Sequence, residues 1–514
     1  MPRHPPYPHS DHARDRATWW LVFALVVAAG TAWVVAAPLF TGPDEVSQAR
    51  RAAAVVRGEL TGSRHDAGPP LLVDVTVPDL YGVPADDQWR CFLGPLVPGT
   101  PQEPMALVPA PCRGLHPTGE RVTAATVQYR GQPAFYAFVG LGTLVSDGVP
   151  GAYAMRFLGL VAAAAFVASA AVSARQARDP ALAGAALLLA LTPAVVYLAA
   201  STNPSALEIA TALSAWAAGM VLIDPTRAPD ATVVRRFSVA LLVLVVTRGL
   251  SPVFGAGLVG VLGALAGRTR VLALGRRRDV RLWGAACLVA TGLSLAWLAH
   301  IQSAYPLPDR PGSGAVRALG WLPWYLRQSV GVFGTNDSAL PPAVAGAWWL
   351  LVAALVGLGI AGSPRRVGAG ALAVLGAGLA LSVTAEGLSL PPIGFFWQGR
   401  YALPVLFGAL VIATWRAGPL EASAAVRNTS RTVLVGAVTG VHLWAFVVVG
   451  SHHADRAGAA STRPTGQTGI ATLVGRWAPP LPQAALLVLY VTAVFALGVS
   501  LTTGPGRRPT ASPR

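Results

Sequence analysis

The stretch ATWWLVFALVVAAGTAWVVAAPLF, residues 17–40, followed at once by TGPDE, residues 41–45, decides the fold. The first part carries no charged side chain. It exceeds the ~20 residues that an α-helix needs to cross a bilayer. It is too long for the apolar core of a cleaved signal peptide and reads as a retained helix. Arg3, Arg14 and Arg16 precede it, which places its N-terminal end in the cytoplasm. Further apolar runs follow at about 149–173, 180–200, 205–223, 237–249, 250–266, 282–300, 343–361, 367–386, 401–417, 432–450 and 481–503. With the first they predict an all-α polytopic membrane protein of about twelve transmembrane helices.

Composition agrees. Of 514 residues 53% are apolar and 12% charged, about half the charged share of a soluble domain. The net charge is +16, and every basic residue apart from histidine is arginine. These arginines sit in short loops between apolar runs, among them Arg175 and Arg178, Arg227 to Arg236, Arg268 to Arg281, Arg365 and Arg366, and Arg416 to Arg431. That is the positive-inside pattern. A nucleic-acid-binding face needs a contiguous basic surface, so that class is excluded. An even number of spans puts both termini in the cytoplasm, and the arginine-only usage suits a bacterial plasma membrane protein.

The domain reading follows. Residues 1–16 form a disordered cytoplasmic tail, 17–503 a membrane domain, and 504–514 a second cytoplasmic tail. Residues 41–132 make a large external loop. It opens with a helical pattern (Asp44, Glu45, then Val46, Ala49, Val55 and Val56) expected to lie on the membrane surface. The remainder of that loop, rich in Pro, Gly and Asp, is expected to be irregular. Cys91 and Cys112 share this external loop and are placed to pair as a disulfide. Cys287 lies in an apolar run.

Chemistry gathers at the expected outer ends of the helices. Asp44 and Glu45 are candidate catalytic acids, a general base or ligands for a divalent cation. The bland alternative is helix capping. Arg400, with Gln398 and Tyr401 in WQGRY, sits at the outer start of a helix. Its planar fork suits a phosphate. Arg248 lies in a broken helix pair at TRGLSP, residues 247–252; interrupted helices in a membrane line cavities. Asn203 and Glu208 follow at an outer turn, where Glu208 is an intramembrane acid. Asp337, in GVFGTND, adds a carboxylate to the outer face. His452 and His453 have no ligand set at useful spacing and read as surface. No phosphate-binding glycine loop and no zinc-protease helix is present.

Several stretches in this order resemble a bacterial family of predicted membrane proteins of unknown function, number 2142 among such domains. They are Gly42-Pro43-Asp44-Glu45, Gln132-Pro133-Ala134-Phe135-Tyr136, Tyr153-Ala154-Met155-Arg156, Thr192-Pro193 with Asn203-Pro204-Ser205 and Glu208, Gly331 to Gly334, and Gln398 to Pro404. The resemblance spans about 39–480. That family looks like the GT-C type of membrane glycosyltransferase, which takes a sugar from a polyprenyl-phosphate carrier at the outer face. The resemblance implies Asp44 as base, or with Glu45 as a metal ligand, and Arg400 facing the carrier phosphate. Gln48 stands where a histidine is expected after the acid pair, and whether a divalent cation takes part stays open. Implied partners are a polyprenyl-phosphate-linked sugar and membrane lipid; protein partners are not indicated. Two other functions stand beside this one: a transporter or flippase of a lipid-linked substrate, and a non-catalytic envelope-assembly protein.

Overall fold

The computed structural model describes residues 12–65, 72–101, 115–228, 230–304, 314–393, 395–418, 423–459 and 479–503. Its helices are α1 His12–Ala36, α2 Glu45–Val55, α3 Val83–Cys91, α4 Pro133–Gly140, α5 Gly142–Val145, α6 Val149–Ala174, α7 Pro180–Ala190, α8 Pro193–Ala199, α9 Pro204–Leu222 and α10 Ala231–Val245. After these come α11 Ser251–Ala266, α12 Arg268–Gly275, α13 Arg278–Ala304, α14 Ala315–Gly320, α15 Leu322–Gly331, α16 Pro342–Ala361, α17 Arg365–Ile393, α18 Leu403–Trp415, α19 Ala424–Ala459 and α20 Gln483–Thr502.

Every predicted span is helical, but twelve full crossings is not what the lengths show. Among the described residues eight helices are long and apolar enough to cross a membrane: α1, α6, α9, α13, α16, α17, α19 and α20. Two bent pairs, α7–α8 at 67° and α11–α12 at 116°, raise the number to ten if each is one span. Proline explains the first break: Pro193 starts α8 and has no N–H to continue the ladder of α7. The freed carbonyl of Leu191 is met by His442 of α19 at 3.0 Å, whose other ring nitrogen meets Tyr490 Oη at 2.6 Å. The expected break at 247–252 is present as the turn between α10 and α11. Helix α1 starts at His12, so the expected disordered tail narrows from its C-terminal side; residues 1–11 and 504–514 lie outside the described residues.

At the centre, α9 is buried along its whole length. It packs on α6, α10 and α18, while α6 also packs on α1. Small residues allow this: Ala163, Ala164, Ala168 and Ala171 of α6 and Ala210, Ala212 and Ala217 of α9 are all in the core. Close backbone approach is what holds helices together in lipid, where no hydrophobic gain separates one from its neighbour.

The first loop departs from expectation twice. It is not irregular: β1 Ser63–Arg64, β2 Val73–Pro78 and β3 Arg121–Thr126 form an antiparallel sheet in that order, Val75 facing Ala124. Val73, Val75 and Val77 alternate inward as a half-buried strand requires. Nor does α2 lie free on a surface. Ten of its residues are buried, packed against α4 and beneath β2 and β3. Arg50 ties the two parts together, donating to the carbonyls of Tyr81, Gly82 and Ala125 and to Asp86 Oδ2 at 2.7 Å.

Candidate functional site

The loop between α1 and α2 is held from three sides. Arg156 of α6 lies fully buried beneath it. Its Nε and Nη2 each meet a carboxylate oxygen of Glu45 at 2.7 Å. Its remaining hydrogens go to the carbonyls of Val34, Ala37 and Pro38 that α1 leaves open. Glu45 also accepts from the N–H of Gly42 and of Thr202, both at 3.0 Å. Asn203 donates to the carbonyl of Pro43 at 2.8 Å and caps α9 through Ser205 N–H. Gly42 is needed here because a Cβ would lie 2.7 Å from Ser201 Cβ.

The two adjacent acids therefore diverge. Glu45, 2% exposed, is wholly engaged in the scaffold. Asp44 occupies the left-handed region at φ 59°, a conformation that costs a non-glycine residue ~1 kcal/mol or more. Its side chain is 34% exposed and its Oδ2 lies 2.6 Å from Arg400 Nη2. Because Glu45 points away, the pair cannot clasp one cation between them. Among the described residues no three His, Cys, Asp or Glu side chains converge as a metal site. The residues do not fit the expected Asp44–Glu45 metal site, and no step below runs through one.

Arg400 is set by a 3-10 turn, Gly399–Ala402, at the head of α18. Gly399 lies so close to the Tyr325 carbonyl that no side chain fits, and its N–H donates to Gln328 Oε1 at 2.6 Å. The segment leading into the turn is anchored by Glu386 of α17, which accepts from the N–H groups of Phe396 and Trp397. Arg400 is buried, and its Nε has no hydrogen-bond partner among the described residues.

Tyr401 joins the two arginines. Its ring lies 5.1 Å from the Arg400 guanidinium carbon and 4.2 Å from that of Arg248. Arg248 also reaches Glu208 Oε2 at 3.2 Å and Ser205 Oγ at 3.1 Å, while Ser251 donates to Glu208 Oε1 at 2.6 Å. Asp44, Arg400, Tyr401, Arg248 and Glu208 thus form one connected constellation. Gln398 is half-buried at the same turn, and only its backbone carbonyl, accepting from Tyr401 N–H, has a described partner. An apolar cavity of about 420 Å³ lies between α9, α10, α11, α17 and α18. Leu244, Val253, Pro404 and Val405, all close in sequence to Arg248 or Tyr401, help line it.

Asp337 belongs elsewhere. It lies in the loop of a short hairpin, β4 Val332–Phe333 with β5 Ser338–Ala339. Its carboxylate accepts from Gly94 N–H at 3.1 Å and lies 3.4 Å from His452 Nε2. It faces His452 rather than Asp44. Burial pushes its pKa up, but the hydrogen bond and charge of His452 and the Gly94 N–H outweigh that and hold it below the usual carboxylate range. The histidines expected at the surface are covered instead: His453 is 3% exposed and packs against Phe92. Nothing local in sequence marks this pairing, because Gly94, Asp337 and His452 come from three distant segments. Cys91 is buried at the end of α3; Cys112 lies outside the described residues, so their pairing remains a proposal. Cys287 is free and buried.

Fold and site together define a multi-pass, mainly helical membrane protein with a charged constellation at one end of its bundle. The chain belongs to the family described as predicted membrane protein (DUF2142), which it matches over residues 27–409. The match starts inside α1 and ends inside α18, short of the 39–480 span expected at its C-terminal side. No curated protein matches the chain. Two crystal structures of ArnT from Cupriavidus metallidurans are similar to it. The apo state has 15% identity and a TM-score of 0.46, and the state bound to undecaprenyl phosphate has 14% and 0.44. Each comparison covers 95% of this chain and 77% of the other.

Proposed function

We propose that the protein is a GT-C-like membrane glycosyltransferase that moves a sugar from a polyprenyl-phosphate carrier to an envelope acceptor on the outer face of the membrane. The observation that carries this is a half-open carboxylate, Asp44, held against the buried Arg400, whose neighbour Tyr401 also meets Arg248.

Each part has a chemical task. The cavity takes apolar chain, and Arg400 and Arg248 take the phosphate that such a chain carries. Arg400 offers its unpartnered Nε–H and exchanges its contact with Asp44 for phosphate oxygens. Two guanidiniums aimed at one oxyanion stabilise the charge that builds as the carrier leaves. Asp44 Oδ2, released from Arg400, accepts the proton of an acceptor hydroxyl. The acceptor oxygen then bonds to the sugar C1, and the C1–O bond to phosphate breaks. The electron pair goes to the leaving phosphate oxygen. Glu208 and Ser205 hold Arg248 in place, and Tyr401 keeps the two arginines apart and oriented. Glu45 and Asn203 act through the loop they brace.

The short helices support a recessed site. Helices α10 and α18 have 15 and 13 residues, or roughly 20 Å each at 1.5 Å per residue. The hydrocarbon layer is ~30 Å thick. Helices shorter than that layer leave room for a recess at one end, and the reading puts it at the end that carries Arg248 and Arg400, where a lipid-borne phosphate can be drawn to them.

The test is transfer of radiolabelled sugar from a polyprenyl-phosphate donor by the purified chain in lipid nanodiscs. Transfer by wild type and its loss in Asp44→Asn is the expected result. No transfer from any such donor by wild type would overturn the reading.

A further inference from the structure

Helix α2 carries a second polar feature that the reaction above does not use. Asp44, Gln48 and Arg51 are spaced at i, i+4 and i+7 and so share one face. Arg51 is 0% exposed; Glu59 is the carboxylate whose charge reaches it, without a direct ion pair among the described residues. Its Nη1 donates to the carbonyl of Leu60, while its Nε and Nη2 have no hydrogen-bond partner among the described residues. The guanidinium lies between two rings, 5.7 Å from the centre of Tyr136 and 5.7 Å from that of Trp297.

The neighbours share this property. Gln132 lies one helical turn before Tyr136. It donates to Ser294 Oγ at 3.0 Å, yet its buried Oε1 has no partner. Ser294 is in turn one helical turn from Trp297, whose indole N–H is also buried and unpartnered. Three side chains from α2, the head of α4, and α13 thus leave four buried polar atoms unpartnered among the described residues, on elements joined by the Arg51–Tyr136, Arg51–Trp297 and Gln132–Ser294 contacts. Leaving a buried polar group unpaired costs ~1–3 kcal/mol, more for a charged one, so four together call for a binding partner. Burial pulls the Arg51 pKa down to about 10, which leaves it a cation at neutral pH.

Building on the transferase reading, we propose that Arg51, Trp297 and Gln132 form a subsite for an anionic group, carboxylate or phosphate, on the saccharide acceptor. The free donors are Arg51 Nε–H, Arg51 Nη2–H and the Trp297 indole N–H; the free acceptor is Gln132 Oε1. Donors in excess around a fixed cation match an acceptor-only anion. Gln132 Oε1 is left for a neighbouring hydroxyl, and the two rings offer faces for a sugar. Seven residues along α2 separate Arg51 from Asp44, or about 10 Å at 1.5 Å per residue. That is roughly two pyranose rings, so the charge recognised lies on the acceptor beyond the hydroxyl that attacks. Trp297 is only half-buried, and in this proposal its ring is the wall that the acceptor displaces to reach Arg51.

Binding is read without donor or turnover, by titrating full-length protein in nanodiscs with glucose, glucuronate and inorganic phosphate. Wild type should prefer glucuronate to glucose by at least tenfold. The phosphate titration shows which of the two anions the subsite favours. Arg51→Met should abolish the preference, and Arg51→Lys, which keeps the charge and loses the fork, should weaken it severalfold. Gln132→Glu guards against misfolding: it gives Arg51 an internal carboxylate, so it should block the anions while raising Tm. Asp44→Asn should leave the preference intact. Equal binding of glucose and glucuronate by wild type, or a preference that survives Arg51→Met, overturns the subsite. Failure of sugar transfer by wild type would overturn the transferase reading and leave this measurement standing.

Discussion

Asp44→Asn keeps the side chain's volume and its left-handed loop but removes the base. Transfer should fall at least ~100-fold, the usual worth of a positioned base, with Tm lowered less than in Glu45→Gln because Asp44 is part-exposed. Arg400→Lys keeps the charge and loses the two-point contact; the donor KM should rise more than kcat falls. The neighbouring acid should behave in the opposite way. Glu45→Gln leaves Arg156 buried without a counter-charge, and breaking one side of a buried pair costs about 3–5 kcal/mol. Its signature is a lower Tm in thermal unfolding, with activity per folded molecule falling far less than in Asp44→Asn. If Glu45→Gln instead loses activity at full Tm, Glu45 takes part in the chemistry. Asp337 supplies a pH dependence. Its folded pKa lies below the usual value, so the unfolded chain binds the proton more readily. The stability it adds is present above about pH 4 and lost as pH falls through its folded pKa. Protease sensitivity of the 91–101 segment should rise with acid there in wild type, and Asp337→Asn should already be sensitive at pH 7.

Among the elements, the turn that carries Arg400 depends on Glu386, a buried acid bonded to backbone N–H groups of Phe396 and Trp397. Glu386→Ala should free the turn and raise the donor KM while the bundle stays folded. An unchanged KM would show that Gln328 alone holds it. The external segment should carry a Cys91–Cys112 bond, closing a loop of about 20 residues worth ~3 kcal/mol on the chain-entropy model. Two free thiols at these positions by mass spectrometry would refute it. Elements were unevenly legible. The apolar runs announced their helices, and the alternation of Val73, Val75 and Val77 was a strand signal that loop composition obscured. The burial of α2 had no local mark, since its pattern read as a helix on the membrane surface. Arg50's bonds to the segments around β2 and β3 show why that side chain is inside.

For the molecule as a whole, the arginine turns meet at one end. Arg178 N–H bonds the Trp415 carbonyl, Asp224 lies 3.7 Å from Arg227 and 3.8 Å from Arg416, Arg270 holds the Leu222 carbonyl, and Arg236 reaches Asp15. The Asp44–Arg400 constellation occupies the other ends of the same helices. Among the described residues eight to ten helices have the length of a span. Sidedness is tested by a cysteine at exposed Glu120, in a variant lacking native cysteines. It should react with an impermeant thiol reagent in intact cells. Labelling only after permeabilisation would invert the topology and the outer-face reaction with it.

Sequence alone determined the class of molecule, because a bilayer imposes one length and one polarity on every segment that crosses it. It also determined which residues were worth watching: Asp44, Glu208, Arg248 and Arg400 stood out as charges where charge is expensive. Tertiary structure alone decided their partners. Asp44 and Glu45 are adjacent in the chain, yet a left-handed residue turns one toward Arg400 and leaves the other bound to Arg156, more than a hundred residues away. Pairing of that kind depends on how helices pack, and no local pattern records which side chain a distant helix will present.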